Sequence, residues 1–358
     1  MPRKKSTNQP NHNDSTTLDR RRFLQGMAYS AGAGLLAGNL GLGNSALAQG
    51  LPAVPSAMTG SQPPQLTELR GKTAYITASS DGIGLGIARA CANAGMKVVI
   101  GYRNPDRLQK ALRQFKPDNA GLLSIKHDVT DRDGWQRLLE EINAKFGNLH
   151  LLVNNAGVKT LRKASEASFA EWDNAVAVNL TGIYNGVAAC LPHMLKHGEG
   201  AHIVTTTSMS GLLPGVSAGV YTATKIAAVG LMEALRIELE TTTVGTSAYC
   251  PGPTNTQNDP NDPRPPLPDG RPRPPAMGMD PLEAGERVLN GVRNNDLFIL
   301  THPEFKDGMQ ERFDSMIASV PDETAPPARV AVIGRLLHAD IYPHEITHRR
   351  QPRKSYRG

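Results

Sequence analysis

Cysteine is scarce in this 358-residue chain, which has only Cys91, Cys190 and Cys250. The three residues are far apart, odd in number, and match neither a zinc-ligand spacing nor a disulfide framework. We therefore expect buried cysteines that behave as small hydrophobic side chains, and we predict no metal site.

The central part of the chain also lacks an excess of positive charge. The formal net charge is +6, but residues 1–48 carry +4 and residues 348–358 carry +5, which leaves −3 for residues 49–347. A nucleic-acid-binding domain would show a basic stripe on its folded body. The charge distribution therefore predicts no nucleic-acid partner.

No uninterrupted apolar run reaches the roughly 20 residues of a transmembrane helix. The stretch from Gly26 to Leu47 is rich in Gly, Ala and Leu but is broken by Gly, Asn and Ser. It follows Asp19–Gln25, which resembles the twin-arginine export motif, and it precedes Ala46-Leu47-Ala48, a small-residue cleavage pattern. We predict that residues 1–48 are a twin-arginine signal peptide and that the mature protein is periplasmic, with no membrane span. The alternative is a basic tail on a cytoplasmic protein.

Residues 49–68 are rich in Pro, Gly and Ser and read as a linker. From Leu69 to about residue 320, short apolar runs alternate with helical patterns, which is typical of a parallel sheet covered on both faces. The predicted strands are Thr73–Thr77, Lys97–Gly101, Leu122–Lys126, Leu149–Val153, His202–Thr206, Thr246–Cys250 and Asp296–Thr301. The sequence thus predicts a single-domain α/β fold: a doubly wound parallel sheet of about seven strands.

Two segments interrupt this pattern. Asn255–Met279 contains eight prolines and follows the end of a predicted strand, where ligands bind in such sheets. We predict a substrate-covering loop there, with an ordinary surface insertion as the alternative. Residues 321–358 are predicted to form a C-terminal extension, to which the sequence assigns no function.

The first predicted strand runs into a glycine-rich turn, Thr77–Gly86 (TASSDGIGLG). Small residues let backbone N–H groups approach a pyrophosphate, and the following helix offers its positive N-terminal end. The turn resembles the T-G-x-x-x-G-x-G motif of the short-chain dehydrogenase/reductase family, but Ala78 replaces the first glycine. If that position needs a left-handed backbone, the methyl group costs about 1–2 kcal/mol.

Further motifs follow in the family's order. Asp128-Val129 resembles the pair that contacts adenine, and Asn154–Gly157 matches the N-N-A-G motif. Pro251-Gly252 with Thr254 and Thr256 resembles the P-G-x-x-x-T segment beside the nicotinamide. The resemblance covers about residues 69–317 and implies a Rossmann-type fold with a bound nicotinamide dinucleotide.

The end of the second strand bears on the choice of cofactor. An acid there binds the ribose hydroxyls of NAD, whereas an arginine pairs with the 2′-phosphate of NADP. The strand is followed by Tyr102-Arg103 without an acid, which favours NADP, although Asp81 lies where some NADP-using members carry a basic residue. The expected cofactor-binding residues are Ala78, Ser79, Ser80, Asp81, Gly82, Ile83, Gly84, Arg103, Asp128, Val129, Asn155, Ala156, Gly157, Tyr221, Lys225, Pro251, Gly252, Thr254 and Thr256.

Tyr221 and Lys225 are spaced i, i+4 and therefore share one helix face. Ketone reduction needs a proton donor at the carbonyl oxygen, and alcohol oxidation needs the same group as a base. A cation at about 4 Å, with an effective dielectric of about 20, contributes ~4 kcal/mol, which bounds the pKa change at about 3. We expect Lys225 to lower the pKa of Tyr221 toward working pH.

The family resemblance implies the remaining roles. Ser208 would bind the substrate oxygen, Asn179 would hold a water in the proton relay, and Lys225 would also bind the nicotinamide ribose. The implied activity is hydride transfer between NADP(H) and a small-molecule carbonyl or alcohol substrate, acting on CH–OH groups. Pocket walls would come from segments after Gly157, around Met209–Ala218, and after Pro253. The resemblance also implies a homodimer or homotetramer.

Two other functions stay open at this stage. One is a non-catalytic dinucleotide-binding sensor. The other is a family member that holds its dinucleotide permanently for non-redox or self-recycling chemistry, as export would favour because dinucleotides are scarce outside the cytoplasm. The rate of cofactor exchange would distinguish these from an ordinary reductase.

Overall fold

The computed structural model describes residues 62–116, 121–215, 218–256, 278–334 and 337–350. The predicted signal peptide, most of the predicted linker and residues 257–277 of the predicted substrate loop lie outside these ranges. The main domain comprises the described residues up to Asp322 together with those from Ala339 onward. The described residues from Glu323 to His338 belong to a separate small unit.

The main domain is built on a seven-stranded sheet in the order β3-β2-β1-β4-β5-β6-β7, with every neighbouring pair parallel. The strands are β1 (Thr73–Ile76), β2 (Lys97–Tyr102), β3 (Leu122–Lys126), β4 (Leu151–Asn154), β5 (Ala201–Thr206), β6 (Val244–Cys250) and β7 (Phe298–Leu300). The predicted doubly wound sheet is confirmed. Because β1 pairs with both β2 and β4, the strand order reverses beside β1, where ligands bind in such sheets.

Helices connect the strands. They are α1 (Gly82–Asn93), α2 (Pro105–Leu112), α3 (Arg132–Phe146), α4 (Phe169–Val176), α5 (Gly182–His197), α6 (Gly219–Leu239), α7 (Pro281–Asn294), α8 (Lys306–Ala318), α9 (Pro327–Ile333) and α10 (Ile341–Arg350). A π-helical turn, Ala177–Thr181, joins α4 to α5, and short 3₁₀ turns cover Met209–Gly211 and Pro303–Phe305. Of these, α9 lies in the small unit.

Alternate residues of the central strands enter two separate cores. Tyr75 packs in the core that contains Trp135 of α3, whereas its neighbour Ile76 packs in the core that contains Ile87 of α1 and Val288 of α7. Successive strand side chains point to opposite faces, so both faces of this sheet are buried under helices. This arrangement explains why the strands read as continuous apolar runs.

Capping residues start two helices earlier than their apolar pattern indicates. The Asp81 carboxylate accepts a hydrogen bond from Gly82 N at 2.8 Å, so α1 begins at Gly82. The Asn104 side chain accepts from Asp106 N at 2.9 Å and from Arg107 N at 3.1 Å, and α2 begins at Pro105. Caps satisfy the free N–H groups of a first helical turn, whether its residues are glycine-rich as in α1 or polar as in α2.

The last helix, α10, packs on the β7 edge of the main domain. Its Arg349 forms an ion pair with buried Asp296 at 3.2 Å, and its Glu345 accepts a hydrogen bond from Leu297 N at 3.1 Å. Ile341 at its start is buried. Part of the predicted C-terminal extension therefore contributes to the main domain.

Two further predictions concern burial. Cys91, Cys190 and Cys250 are free and buried, as expected, and burial raises the pKa of each thiol.

Within the described residues, the helical run Phe169–His197 is long and apolar enough to cross a membrane by length and composition. Half of its most apolar window is buried inside the fold, as in a core helix, so it is weak evidence for a span.

Candidate active site

A cavity of about 1060 Å³ opens at the carboxyl ends of the central strands. Many of the predicted site residues line it: Ala78, Asp81, Gly82, Ile83, Asn155, Gly157, Ser208, Tyr221, Lys225, Pro251, Gly252, Thr254 and Thr256. The other predicted residues do not line it: Ser79, Ser80, Gly84, Arg103, Asp128, Val129, Ala156 and Asn179. The fold thus brings segments from four loops and from helix α6 to one site.

The glycine-rich turn forms one end of the cavity. Ala78 has φ 50°, so it occupies the left-handed region where the family has glycine. The strain considered for its methyl group is therefore present. A Cβ on Gly84 would lie 2.4 Å from Asn155 Nδ2 and 2.7 Å from Ala78 O, so no side chain fits between these two segments. Because Gly84 has no side chain, the turn can lie close to the Asn155 segment.

Thr77 fixes this turn against the loop after β4. Its hydroxyl oxygen accepts hydrogen bonds from Asn155 N and Ala156 N, both at 2.8 Å. Asn155 Nδ2 donates back to Thr77 O at 3.1 Å, and its Oδ1 accepts from Thr206 at 3.3 Å. The N-N-A-G segment therefore holds the β1, β4 and β5 ends together beside the cavity. Thr77 is a positioning residue that the motif comparison did not single out.

The other end of the cavity contains Tyr221, Ser208 and Lys225. Ser208 lies close enough to Tyr221 to lower the pKa of its phenol. The Lys225 ammonium lies 5.5 Å from the centroid of the Tyr221 ring and donates to Thr206 O at 2.9 Å. The i, i+4 spacing on α6 places the tyrosine and lysine together, and the end of β5 supplies the serine.

The protonation equilibria differ from the sequence-based expectation. Burial raises the pKa of Tyr221 above its ordinary value, and the nearby Ser208 side chain opposes this effect. Burial also lowers the pKa of Lys225 to about 8. Lys225 does not lower the pKa of Tyr221 here, because the ammonium is directed to Thr206 O and is itself disfavoured by desolvation.

Asn179 lies in the π-helical turn between α4 and α5 and is fully buried. Its Oδ1 accepts from Val158 N at 2.8 Å, and its Nδ2 donates to Val158 O at 3.0 Å and to Thr224 at 3.1 Å. A Cβ on Gly157 would lie 3.4 Å from Asn179 Oδ1 and 3.6 Å from Lys225 Nζ. Asn179 therefore lies behind the loop that contains Gly157 and Val158 rather than on the cavity wall.

Two arginines follow β2, and they have different surroundings. Arg103 pairs with Asp128 at 3.1 Å and does not line the cavity. The pKa of Asp128 is lowered chiefly by a backbone hydrogen bond from Thr130, with Arg103 contributing. Arg107 does line the cavity, where it faces Asp81 at 3.6 Å. Sequence reasoning missed Arg107, although its place in the first turn of the Asn104-capped helix α2 was a usable signal.

Residues from the predicted substrate walls line the same cavity as Tyr221 and Ser208. Leu161, Met209, Leu213 and Phe305 supply apolar surface, and Lys159 supplies a charge. These residues come from the segment after Gly157 and the segment after β5, as predicted, and from the 3₁₀ turn Pro303–Phe305, which the sequence did not indicate.

The described ends of the proline-rich loop meet at the cavity. Asn255 N donates to Met279 O at 2.9 Å, and Asn255 exchanges side-chain hydrogen bonds with Gly278 at 2.6 and 3.0 Å. Thr256 and Gly278 both line the cavity. The remaining loop residues, 257–277, lie outside the described residues, but the anchored ends place the start and end of the loop at the site.

A group of possible metal ligands lies elsewhere, at the opposite end of β4. Ligand atoms of His150, His197 and Glu199 lie within 4.8 Å of one another. His150 bonds Thr73 N at 3.2 Å and Glu199 at 3.0 Å through its two ring nitrogens. His197 bonds Leu149 O at 2.9 Å and Glu199 N at 3.1 Å. Every imidazole nitrogen of the pair is thus already used in a hydrogen bond, which favours a structural role over metal binding.

Comparisons with known proteins identify the family of the chain. The family model described as short chain dehydrogenase matches residues 72–265. The C alpha-dehydrogenase of Sphingobium sp. strain SYK-6 is 29% identical over 284 residues, covering 73% of this chain and 90% of that protein.

Solved structures give the same result. A protein from Novosphingobium aromaticivorans described as a short-chain dehydrogenase is 32% identical, with a TM-score of 0.68, covering 78% of this chain and all of that one. A short-chain dehydrogenase/reductase from Burkholderia phymatum, solved in complex with NAD, is 27% identical with a TM-score of 0.62. The match covers 72% of this chain and 99% of that chain.

The residues present fit a nicotinamide dinucleotide. Gly82 and Ile83 at the start of α1 line the cavity, and a helix N-terminus is a typical site for a phosphate. The left-handed Ala78 lies in the turn that precedes this helix. A side chain at Gly82 would contact Thr256, its Cβ lying 3.1 Å away, so the turn leaves room only for a backbone approach. The cavity is at the upper end of typical cofactor-site volumes, roughly 300–1,000 Å³.

Proposed function

The chain is an oxidoreductase of the short-chain dehydrogenase family, and from this premise we propose that it transfers a hydride between NADP(H) and a ketone or the corresponding alcohol. Tyr221 is the general acid or base. The observation that carries the proposal is the convergence of Tyr221, Ser208 and Lys225 at one end of a cavity whose other end is a phosphate-binding turn. The name of the Sphingobium relative, a C alpha-dehydrogenase, supports chemistry at a CH–OH group.

The proton chemistry follows from the pKa values. Because burial raises the pKa of Tyr221, its phenol is protonated at neutral pH and can donate to a carbonyl oxygen. Ser208, which lines the same cavity as Tyr221, is placed to orient the same oxygen. A bound dinucleotide supplies or accepts the hydride. Lys225, with a pKa of about 8, carries positive charge near neutral pH and fixes the end of β5 beside Tyr221 through its hydrogen bond to Thr206 O.

Replacement of Tyr221 by Phe tests this role. We expect turnover to fall at least roughly 10²-fold, as for the loss of a general acid–base group, while dinucleotide affinity stays unchanged. The matched control is Tyr342→Phe, which removes an exposed hydroxyl bonded to Glu233 outside the cavity lining. Retained activity in Tyr221→Phe would refute the assignment.

We propose NADP rather than NAD on the two arginines that follow β2. Arg107 is the better placed, since it lines the cavity and its exposed ion pair with Asp81, at 3.6 Å, is weak enough to be replaced by one with a phosphate. We expect Arg107→Met to raise the NADPH dissociation constant roughly 10-fold and to leave that of NADH unchanged. Equal losses for both dinucleotides would contradict a 2′-phosphate contact.

We also propose export by the twin-arginine route, on the order of charged, apolar and cleavage segments in residues 1–48. In the native host, the protein is expected in the periplasmic fraction without those residues. The double substitution Arg20→Lys, Arg21→Lys should retain it in the cytoplasm. Uncleaved protein confined to the cytoplasm would refute export.

We propose a homodimer or homotetramer in addition. Large apolar side chains are exposed on α5 and α6, with Tyr184 57% and Ile237 53% accessible. Exposed apolar surface of this kind is typical of protein interfaces. Light scattering is expected to give a multiple of the monomer mass, and a monomer mass would contradict the proposal.

A further inference from the structure

Among the described residues that line the cavity, cationic side chains outnumber acidic ones. The charged residues among them are Asp81, Arg107, Lys159 and Lys225. Asp81 and Arg107 face each other at 3.6 Å at the dinucleotide end, and Lys225 is buried with its ammonium on Thr206 O. Lys159 is exposed and has no hydrogen bond or ion pair with any part of the chain that the structure describes.

Lys159 lies at the catalytic end of the cavity. It follows Gly157 by two residues, and Gly157 approaches both Asn179 and Lys225. Its charge is close enough to Lys225 to help lower the pKa of that ammonium. Lys159 and Lys225 therefore line the cavity together with Tyr221, and the only acid among the described lining residues, Asp81, already faces Arg107. Such an arrangement attracts an anion, because like charges in a partly desolvated cavity repel each other.

Apolar side chains form part of the cavity lining. Leu161, Met209, Leu213 and Phe305 line the same cavity as Lys159. Leu161 is 62% accessible, although most large apolar side chains of the domain are buried. An apolar wall with a single unpaired cation matches a ligand with an apolar body and one negative group.

We propose that Lys159 binds a carboxylate of the substrate, so that the substrates are apolar keto acids and the corresponding hydroxy acids. This inference rests on the proposed function for its reaction. In reduction, the carbonyl carbon gains a hydride and its oxygen gains the proton of Tyr221, while the carboxylate stays unchanged on Lys159. Lys159 is thus a specificity-determining residue rather than a catalytic one.

The experiment compares acids with neutral partners of the same shape. The probes are benzoylformate, 3-benzoylpropionate and 4-benzoylbutyrate, each with its methyl ester, in the presence of NADPH. The variants are Lys159→Met, which keeps the apolar stem, and Lys159→Arg, which keeps the charge. The matched control is Lys163→Met, four residues away and paired with Glu166 at 2.6 Å outside the cavity lining.

Two quantities are measured. One is kcat and KM for each acid and ester. The other is the dissociation constant of each compound from Tyr221→Phe protein loaded with NADPH, where the ligand is not consumed and binding is followed by dinucleotide fluorescence. The binding measurement keeps the inference testable whether or not a given compound is turned over.

We expect at least one acid to bind better than its ester. Lys159→Met should raise KM and the dissociation constant for that acid roughly 10- to 100-fold, with kcat and the ester nearly unchanged. Lys159→Arg should restore most of the affinity, and Lys163→Met should match the wild type. Affinity for NADPH should be the same in all variants.

Three results would overturn the inference. Lys159→Met could weaken the binding of acids and esters equally, the protein could bind none of the carboxylates, or Lys159→Met could lower the affinity for NADPH instead of that for the acid. These results leave the proposed function intact as long as any ketone is reduced. Conversely, carboxylate binding that depends on Lys159, without reduction of any carbonyl compound, would support the anion site and refute the proposed function.

Discussion

Replacing Lys225 by methionine is predicted to make the protein more stable at neutral pH while impairing its activity. Lys225 is only 3% accessible, and burial lowers its pKa from 10.5 to about 8. At about 1.4 kcal/mol per pKa unit, holding its charge in the folded protein at pH 7 costs roughly 3 kcal/mol. Methionine has a similar length and carries no charge, so it removes this cost.

The net gain is smaller, because Thr206 O loses the hydrogen bond that it accepts from Lys225 at 2.9 Å. An unsatisfied buried carbonyl costs about 1 kcal/mol. We therefore expect Lys225→Met to raise the free energy of unfolding by about 2 kcal/mol at pH 7, which corresponds to roughly 4–8 °C in melting temperature for a domain of this size.

The pH dependence gives the sharper test. Between pH 8 and 10.5 the unfolded lysine holds its proton while the folded one has lost it. The unfolded state then binds more protons, so the stability of the wild type rises with pH. The advantage of Lys225→Met should accordingly shrink over this window and reverse above it, where the variant lacks the hydrogen bond to Thr206 O and should be about 1 kcal/mol less stable than the wild type.

The assay is urea denaturation of wild type and Lys225→Met at a series of pH values from 7 to the end of that window. The control, Lys196→Met, removes an exposed lysine from α5 and should change stability by less than about 0.5 kcal/mol at every pH. A variant less stable than wild type at pH 7, or a difference that does not change with pH, would refute the reasoning.

Two further predictions concern the glycine-rich turn and its helix. Ala78→Gly should stabilise the protein by up to about 1 kcal/mol, because it relieves a left-handed alanine at φ 50°. Part of this gain is lost because glycine increases the conformational entropy of the unfolded chain. A lower urea midpoint would contradict this prediction. Gly86→Ala should destabilise by about 3 kcal/mol, because the new Cβ would lie 1.8 Å from Pro281 O at the contact between α1 and α7. Its control, Gly230→Ala, adds a methyl that meets nothing within 4 Å and should stabilise α6 by about 0.5–1 kcal/mol, so a similar result for both variants would show that the close contact is unimportant.

The strands were predictable because each is a short apolar run bounded by turn residues. The predicted Leu122–Lys126 agrees with β3 at both ends, whereas β4 begins two residues later than predicted, at Leu151. The helix starts at Gly82 and Pro105 were missed because the first turn of α1 is glycine-rich, the first turn of α2 is polar, and both starts depend on the caps Asp81 and Asn104. Periodicity detects the apolar face of a helix, not the hydrogen bonds that start it.

The site was predictable where local spacing defines it. Tyr221 and Lys225 share a helix face by their spacing alone, and the left-handed backbone at Ala78 followed from the glycine that it replaces. By contrast, the cavity lining at Arg107 and Phe305 depends on how α2 and the turn before α8 pack against the sheet. Such contacts join residues that are distant in the chain, so no local pattern indicates them.

By itself, the sequence determined the α/β class, the phosphate-binding turn and the candidate acid–base pair, since all three depend on residue types at short spacing. Only the tertiary structure decided the strand order, with β1 between β2 and β4, and the electrostatic state of the site. The sequence-based estimate placed the Lys225 charge about 4 Å from the phenol, with an effective dielectric of about 20. In the folded protein that ammonium donates to Thr206 O, and burial raises the pKa of Tyr221. Desolvation depends on every element packed around the two side chains, so it is decided by the tertiary structure.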